Sequence, residues 1–357
     1  MNNNHFASIL LDWYGLHKRD LPWRNTKDPY IIWLSEVILQ QTRVAQGLPY
    51  FEKFLENFPK VEDLAKAPSE EVMRLWQGLG YYSRARNLHY CAKDIVNTYG
   101  GKFPNDYKSL LKLKGVGTYT AAAIASFAFD ESVAVVDGNV FRVLARYFGV
   151  STDIASSGGK REFEKIANEH ISKKYPAEYN QAIMEFGSLQ CTPNNPSCND
   201  CPLNSSCFAY NNDLVSQLPV KINKVKVKER FFTYIYIVCG EYVVVKQREA
   251  GDIWQGLYDF PLEEGEKNVL QEIKELTLMH ELKGFDPKVH FDSETRFKHI
   301  LTHQRIFANF ATFVIGESHL SKLLNWVEKN DYELVDFSRL ESVGKPRLIV
   351  KFLNDEK

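Results

Sequence analysis

The chain has 357 residues, of which 44% are hydrophobic and 25% charged, and its formal net charge is −1. A length of this order exceeds one ordinary core and fits two domains. Near-neutrality excludes a protein that is basic throughout, so any surface for a polyanion has to be a local patch. No apolar run is long enough to span a bilayer. The opening Met1-Asn2-Asn3-Asn4 lacks the basic and apolar regions of a secretion signal, so a cytoplasmic protein without membrane contact is expected.

From Phe6 to about Ile183, apolar residues recur at three- and four-residue spacing, as in Ile31, Leu34 and Ile38 or Val140, Leu144 and Tyr147. Pro22, Pro29, Pro59, Pro68, Gly100-Gly101 and Gly158-Gly159 read as stops between helices. No strand-rich stretch interrupts the pattern, and residues 1–211 are expected to form an all-α domain. Within it, Ile32 and Leu39 flank Glu36 on one helical face, so the carboxyl projects from an apolar stripe. Desolvation there favours the protonated acid. A buried partner to an arginine is the competing structural reading.

Gly115-Val116-Gly117 then separates two helical segments. Two glycines around one apolar residue permit a tight turn and leave backbone N–H groups bare. The next helix begins at Thr118, and its positive end suits a phosphate. A plain helix–helix turn would use the same residues. Asp137 closes the apolar run Val133–Val136 and precedes a helix carrying Arg142 and Arg146. An N-cap explains it structurally, and a cap is expected to keep the carboxylate ionised.

Of the 6 cysteines, Cys91 and Cys239 stand alone, whereas Cys191, Cys198, Cys201 and Cys207 crowd into the loop 191–207 as C-x6-C-x2-C-x5-C. In a reducing compartment this clustering argues for metal rather than disulfides. Four thiolates suit zinc or an iron–sulfur cluster. Residues 212–228 form a polar linker made basic by Lys221, Lys224, Lys226 and Lys228. From residue 229 to 357 an α+β domain is expected. Phe231–Val238 and Tyr242–Lys246 read as a hairpin across Cys239-Gly240-Glu241, residues 304–315 as another strand, and segments near 266–282 and 338–354 as helices.

These stretches together resemble the helix-hairpin-helix glycosylase superfamily, and within it the MutY branch of adenine glycosylases. The hairpin there is usually L-P-G-V-G followed by T-A, and Lys114 stands where the proline is common. The superfamily's V-D-x-x-V-x-R-V-x-x-R context is complete around Asp137, and the cysteine spacing is that of the cluster loop in endonuclease III and MutY. The segment "WQGLYDFPL" from Trp254 to Leu262 resembles the MutT-like (Nudix-fold) domain that follows in MutY. The resemblance thus covers nearly the whole chain.

It implies a base-excision enzyme that flips adenine out of duplex DNA, where it is mispaired with 8-oxoguanine or guanine, and hydrolyses its glycosidic bond. Glu36 would protonate the leaving base and Asp137 would offset the charge on the sugar. Strand-cutting relatives carry a lysine where this chain has Tyr119, so a monofunctional enzyme is implied. Arg24, Gln41, Thr42, Leu79 and Tyr81 would contact the flipped base or the duplex, with Leu79 or Tyr81 as a wedge. Tyr119 and Asn139 would sit near the sugar and phosphate, and Gly115 and Gly117 would grip phosphate. The four cysteines would hold a 4Fe–4S cluster, and the chain would act as a monomer.

In the second domain the Phe-Ser-His turn that reads 8-oxoguanine in MutY is here Leu301-Thr302-His303. Thr302 and His303 keep hydrogen-bonding groups while the aromatic ring is lost. The metal-binding carboxylates of active MutT-like enzymes are depleted in Gln271–Leu276, so recognition rather than nucleotide hydrolysis is implied. An endonuclease III-like glycosylase-lyase and a catalytically silent damage binder are the alternatives.

Overall fold

A computed structural model of the chain describes residues 3–222 and 226–355. Among the described residues the contacts form two compact units, residues 3–66 with 87–222, and residues 67–86 with 226–355. Among the described residues, no helix is long and apolar enough to cross a membrane.

All regular elements of the first unit among the described residues are helical. The helices Asn3–His17, Gly138–Phe148 and Pro176–Leu189 share one core, with Leu10, Trp13, Val140, Leu144, Ile183 and Phe186 turned inward. Each contributes a single stripe, as amphipathic helices do. The helix Pro29–Leu39 is different. Ile32, Trp33, Leu34, Val37 and Ile38 are all buried, so it is a core helix apolar nearly all round, and Glu36 is buried with them. Pro29 opens this helix, and the Asp28 side chain accepts from Tyr30 N at 2.8 Å.

Gly158 and Gly159 do not stop a helix as expected. They occupy the first turn of Ser157–His170, where Ser156 Oγ accepts from Gly159 N at 2.9 Å. A Cβ at Gly159 would lie 2.1 Å from Asp153 O, so the glycine permits close backbone packing at the cap.

The second unit is built on a mixed sheet: β1 (Lys228–Cys239), β2 (Tyr242–Gln247), β3 (Tyr258–Asp259), β4 (Leu262–Glu264), β5 (Lys288–Phe291), β6 (Phe297–Ile300), β7 (Gln304–Ile315) and β8 (Glu333–Asp336). The central path runs β3-β2-β1-β7-β5, with β4 on β1, β6 on β7 and β8 on β2. β1 and β7 pair in parallel from Lys228↔Gln304 to Cys239↔Ile315. A parallel pair is covered on both faces, so residues 232–237 are buried without alternation. The hairpin into β2 turns at Gly240, whose φ is +60°, as read from the sequence.

One sheet face carries Ile235, Ile237, Ala311 and Phe313 under the helices Leu270–Lys274, Thr277–Leu282 and Leu320–Lys329. On the other, Phe352 of the helix Arg347–Asp355 stacks on Phe310 with centroids 4.1 Å apart. Both helices expected in this region are broken in two. The first breaks at Glu275-Leu276. The second breaks at Val343–Pro346, where the buried Lys345 ammonium donates to the carbonyls of Leu340 and Val343. Proline removes a helical donor at this point.

Residues 67–86 are held by this unit through specific bonds. Glu70 accepts from Tyr258 Oη at 2.9 Å and from Arg339 at 2.6 Å. Gln77 Oε1 accepts from Lys345 N at 2.8 Å, and Arg86 donates to Gln255 O at 2.8 Å.

Candidate active site

Three segments of the first unit bring their carboxyl and phenol groups together. Tyr119, in the first turn of the helix Thr118–Phe129, donates its hydroxyl to Glu36 Oε2 at 2.5 Å. Asp137 caps the helix Gly138–Phe148, with Oδ1 accepting from the backbone N of Asn139 and of Val140, both at 2.8 Å. Its Oδ2 accepts from Asn139 Nδ2 at 2.7 Å.

Burial raises both acids. Burial pushes Glu36 up to about 7; the Tyr119 hydrogen bond opposes this, the Asp137 charge adds to it, and Arg24 opposes it. Asp137 is also raised, chiefly by burial, while the hydrogen bonds from Val140 and Asn139 pull it back. The cap was expected to dominate, but desolvation outweighs it. The Tyr119 phenol is held far above its ordinary value by burial first, then by Glu36 and Asp137, so it stays a donor.

Arg24 lies on the short turn Pro22–Arg24 and is fixed from one side. Its guanidinium donates to both oxygens of buried Glu185, at 3.0 and 2.8 Å, and its Nε donates to Gln181 Oε1 at 3.1 Å. Burial alone would raise Glu185, but Arg19 and Arg24 outweigh it and hold the carboxyl down at about 2. Arg24 also lines a cavity of about 380 Å³ with Tyr14, Trp23 and Gln181. Gln181 and Glu185 were not singled out in the sequence. Their four-residue spacing on one helix, facing an arginine, was the available signal.

The glycine hairpin has the expected shape. Gly115 has φ +82°, and a Cβ there would lie 2.7 Å from Asn87 Cβ, so only glycine fits. Gly117 is extended and precedes Thr118; a Cβ would meet nothing, which leaves this approach open to a large anion. Lys114 is exposed and its ammonium lies 4.1 Å from the Tyr90 ring centroid. Gln41 is exposed with φ +56°, and Thr42 is half-buried.

Cys191, Cys198, Cys201 and Cys207 line one recess together with Arg146 and Tyr147. Among the described residues, no three or more His, Cys, Asp or Glu side chains converge closely enough to hold a single metal ion. Four thiols lining one recess are a donor set that suits zinc or an iron–sulfur cluster. The helix capped by Asp137 reaches this loop directly. Arg142 donates to Cys191 O at 2.7 Å, to Gly187 O at 2.5 Å and to Asn139 Oδ1 at 2.9 Å. Arg146 donates to Thr192 O at 2.7 Å and lies 3.5 Å from Cys191 Sγ.

The remaining predicted residues lie in the second unit. Of the two residues expected as a wedge, Leu79 is buried at 5% exposure and Tyr81 is 44% exposed. Tyr81 has φ +48°, and the Arg84 guanidinium sits 5.6 Å from its ring centroid. Its hydroxyl is 2.5 Å from Thr302 Oγ1 on the turn between β6 and β7. Thr302 and His303 are exposed and Leu301 is half-buried. Glu272, in the stretch compared with MutT-like carboxylates, is committed to its own helix start, accepting from Asn268 N at 2.7 Å.

Comparison with known proteins agrees with this geometry. The profile of the HhH-GPD superfamily of base excision DNA repair proteins matches residues 34–169, and that of the NUDIX domain matches residues 233–355. An adenine DNA glycosylase of Buchnera aphidicola subsp. Baizongia pistaciae is 31% identical over 366 residues, covering 99% of this chain and 97% of that protein. One from Arabidopsis thaliana is 38% identical over 347 residues, covering 83% of this chain and 55% of that one. Among solved structures, a thermostable thymine-DNA glycosylase superposes with a TM-score of 0.55 at 32% identity, covering 59% of this chain and 97% of that chain. Endonuclease III in a non-covalent DNA complex shares the fold, with a TM-score of 0.52 at 24% identity over 60% of this chain and 99% of that chain.

Proposed function

The chain belongs to the adenine DNA glycosylase family, and from that premise we propose how it removes adenine and from which pair. Glu36, kept protonated by burial, delivers its proton to a ring nitrogen of a flipped adenine as the bond to the sugar breaks. The bonding electrons leave with the base. Asp137, fixed by its cap and by Asn139, faces the cationic sugar, and water then adds to the anomeric carbon and loses a proton. Tyr119 holds Glu36 in place and offers no amine, so the enzyme stops at base removal. Arg24, whose charge reaches Glu36, and its partner Gln181 supply polar edges for the base.

The single observation that carries this reading is the Glu36–Tyr119–Asp137 cluster, in which the phenol donates to Glu36 while Asp137, close enough for its charge to act on both, is held by its own helix cap. Cys191, Cys198, Cys201 and Cys207 would hold a 4Fe–4S cluster, which when bound supplies a rigid cross-link to the loop that Arg142 and Arg146 grip. The preferred substrate is adenine opposite 8-oxoguanine or guanine in duplex DNA. Tyr81 enters the stack, and Thr302 and His303 offer hydrogen bonds to the opposite base. The enzyme acts as a monomer.

The test is adenine release from duplexes carrying adenine opposite each base, analysed with and without alkali. Release fastest opposite 8-oxoguanine, with strand breaks only after alkali, is the expected result. Equal breaks without alkali would transfer the chain to the lyase class.

A further inference from the structure

A cavity of about 700 Å³ opens within the second unit among the segment Gly78–Arg86, the loop Gly251–Trp254 and the turn Leu301–Gln304. That volume accommodates a mononucleotide. Its lining includes the aromatic rings of Tyr81 and Trp254, the latter meeting His299 edge-on at 5.5 Å. The guanidinium groups of Arg86 and Arg347 line it as well. Arg86 is anchored by its bond to Gln255 O at 2.8 Å.

The cations in this cavity are not balanced by carboxylates. Among the described residues, neither Arg86 nor Arg347 enters any of the unit's ion pairs. The lining carboxylate, Asp252, is already taken by Arg230 at 2.6 Å and Arg248 at 2.8 Å. Arg347 opens the helix Arg347–Asp355, where the helix end is itself partly positive. Lys351 adds to this field: His299 is held below its ordinary value by burial, then by Arg347 and Lys351. Like charges gathered around an open cavity disfavour one another until an anion enters.

We propose that this cavity takes a whole purine nucleotide, with the base at Tyr81 and Trp254 and the 5′-phosphate on Arg86 and Arg347. The inference rests on the reading role given above to Tyr81, Thr302 and His303, and it adds a phosphate clamp that this role does not contain. A purine with its phosphate reaches the cavity either within a DNA strand or as a free nucleotide.

Two arms on the full chain separate these sources. In the first, affinity for an adenine·8-oxoguanine duplex is measured against salt for the parent, Arg347→Ala, Arg347→Lys and the exposed control Lys329→Ala. Arg347→Ala should weaken binding about tenfold and make the salt slope shallower by about one. Arg347→Lys should restore most of the slope, and Lys329→Ala should match the parent. In the second, calorimetry compares 8-oxo-dGMP with its unphosphorylated nucleoside. Nucleotide binding at least tenfold tighter, erased by Arg347→Ala, assigns the free source. A change in the first arm alone assigns the strand.

If neither arm responds to Arg347→Ala, the clamp is overturned. Should the parent still prefer 8-oxoguanine opposite adenine, the reading role stands without the clamp. Absence of that preference in the parent would remove the reading role, and the salt slope would still judge the clamp.

Discussion

Glu36 sits where a carboxyl is costly to ionise, and its use as an acid depends on that cost. It binds its proton more tightly in the folded chain than in the unfolded one. Between the ordinary carboxylate range and about pH 7 the folded state therefore holds the extra proton, and stability falls as pH rises through that window. Glu36→Gln keeps an acceptor for Tyr119 but cannot ionise. The variant should lose at least about 10²-fold in adenine release and be more stable than the parent at pH 8 by ~1–3 kcal/mol. The gain should shrink to nothing below the ordinary carboxylate range. Denaturant melts at both pH values check this, and a Gln variant no more stable at pH 8 would mean that Glu36 is not a buried acid. In the parent, adenine release should decline as pH rises past about 7, because the donor loses its proton. The apolar setting of Glu36 and the cap of Asp137 were legible in the sequence because each is set by neighbours in its own segment. Gln181 and Glu185 were not, because their meaning comes from Arg24, more than 150 residues away along the chain.

At the scale of elements, the helix Gly138–Phe148 is a short rod with the Asp137 carboxylate at one end and the cysteine loop along its side. Its position is set by contact with the helix Pro176–Leu189 at Gly187. A Cβ there would lie 2.7 Å from Asn139 Cβ and 3.0 Å from Asn139 O. Gly187→Ala should displace Asn139, cost about 1–3 kcal/mol in stability, and lower adenine release by more than that loss explains when measured well below the melting temperature. Unchanged turnover per folded molecule would show that Asn139 does not orient Asp137. Removing the guanidinium in Arg142→Met strips donors from the carbonyls of Cys191 and Gly187. About 3 kcal/mol of stability should go with it, read by denaturant melts, and Cys191–Cys207 should become the region of fastest hydrogen exchange in the first unit. The helices themselves were readable from apolar spacing, and so was the hairpin at Gly115. What spacing does not encode is close approach. Gly187 looks like an ordinary small residue within "EFGSL", and the broken helix near residue 344 depends on which carbonyls a buried lysine fills.

At the scale of the whole molecule, a basic linker at 212–228 marks a change of composition. By their contacts, residues 67–86 cluster with the later residues rather than with their neighbours in sequence. Their anchors are polar and specific: Glu70 to Tyr258 and Arg339, Gln77 to the backbone of Lys345, Arg86 to the carbonyl of Gln255. Close backbone packing adds to these, because a Cβ on Gly344 would lie 3.2 Å from the backbone of Met73. A chain ending at Lys224 deletes every one of these partners while leaving the helices that carry Glu36, Tyr119 and Asp137 untouched. Hydrogen exchange should then show residues 69–86 losing protection by at least 10-fold, the equivalent of about 1.4 kcal/mol. The helices Pro29–Leu39 and Gly138–Phe148 should keep theirs. Functionally, the shortened chain should still release adenine but should discriminate poorly between opposite bases, because Tyr81 loses Thr302 as its partner and the turn that carries it is gone. If residues 69–86 remain as protected as in the full chain, the segment is stabilised by the first unit, and the contact-based division is wrong.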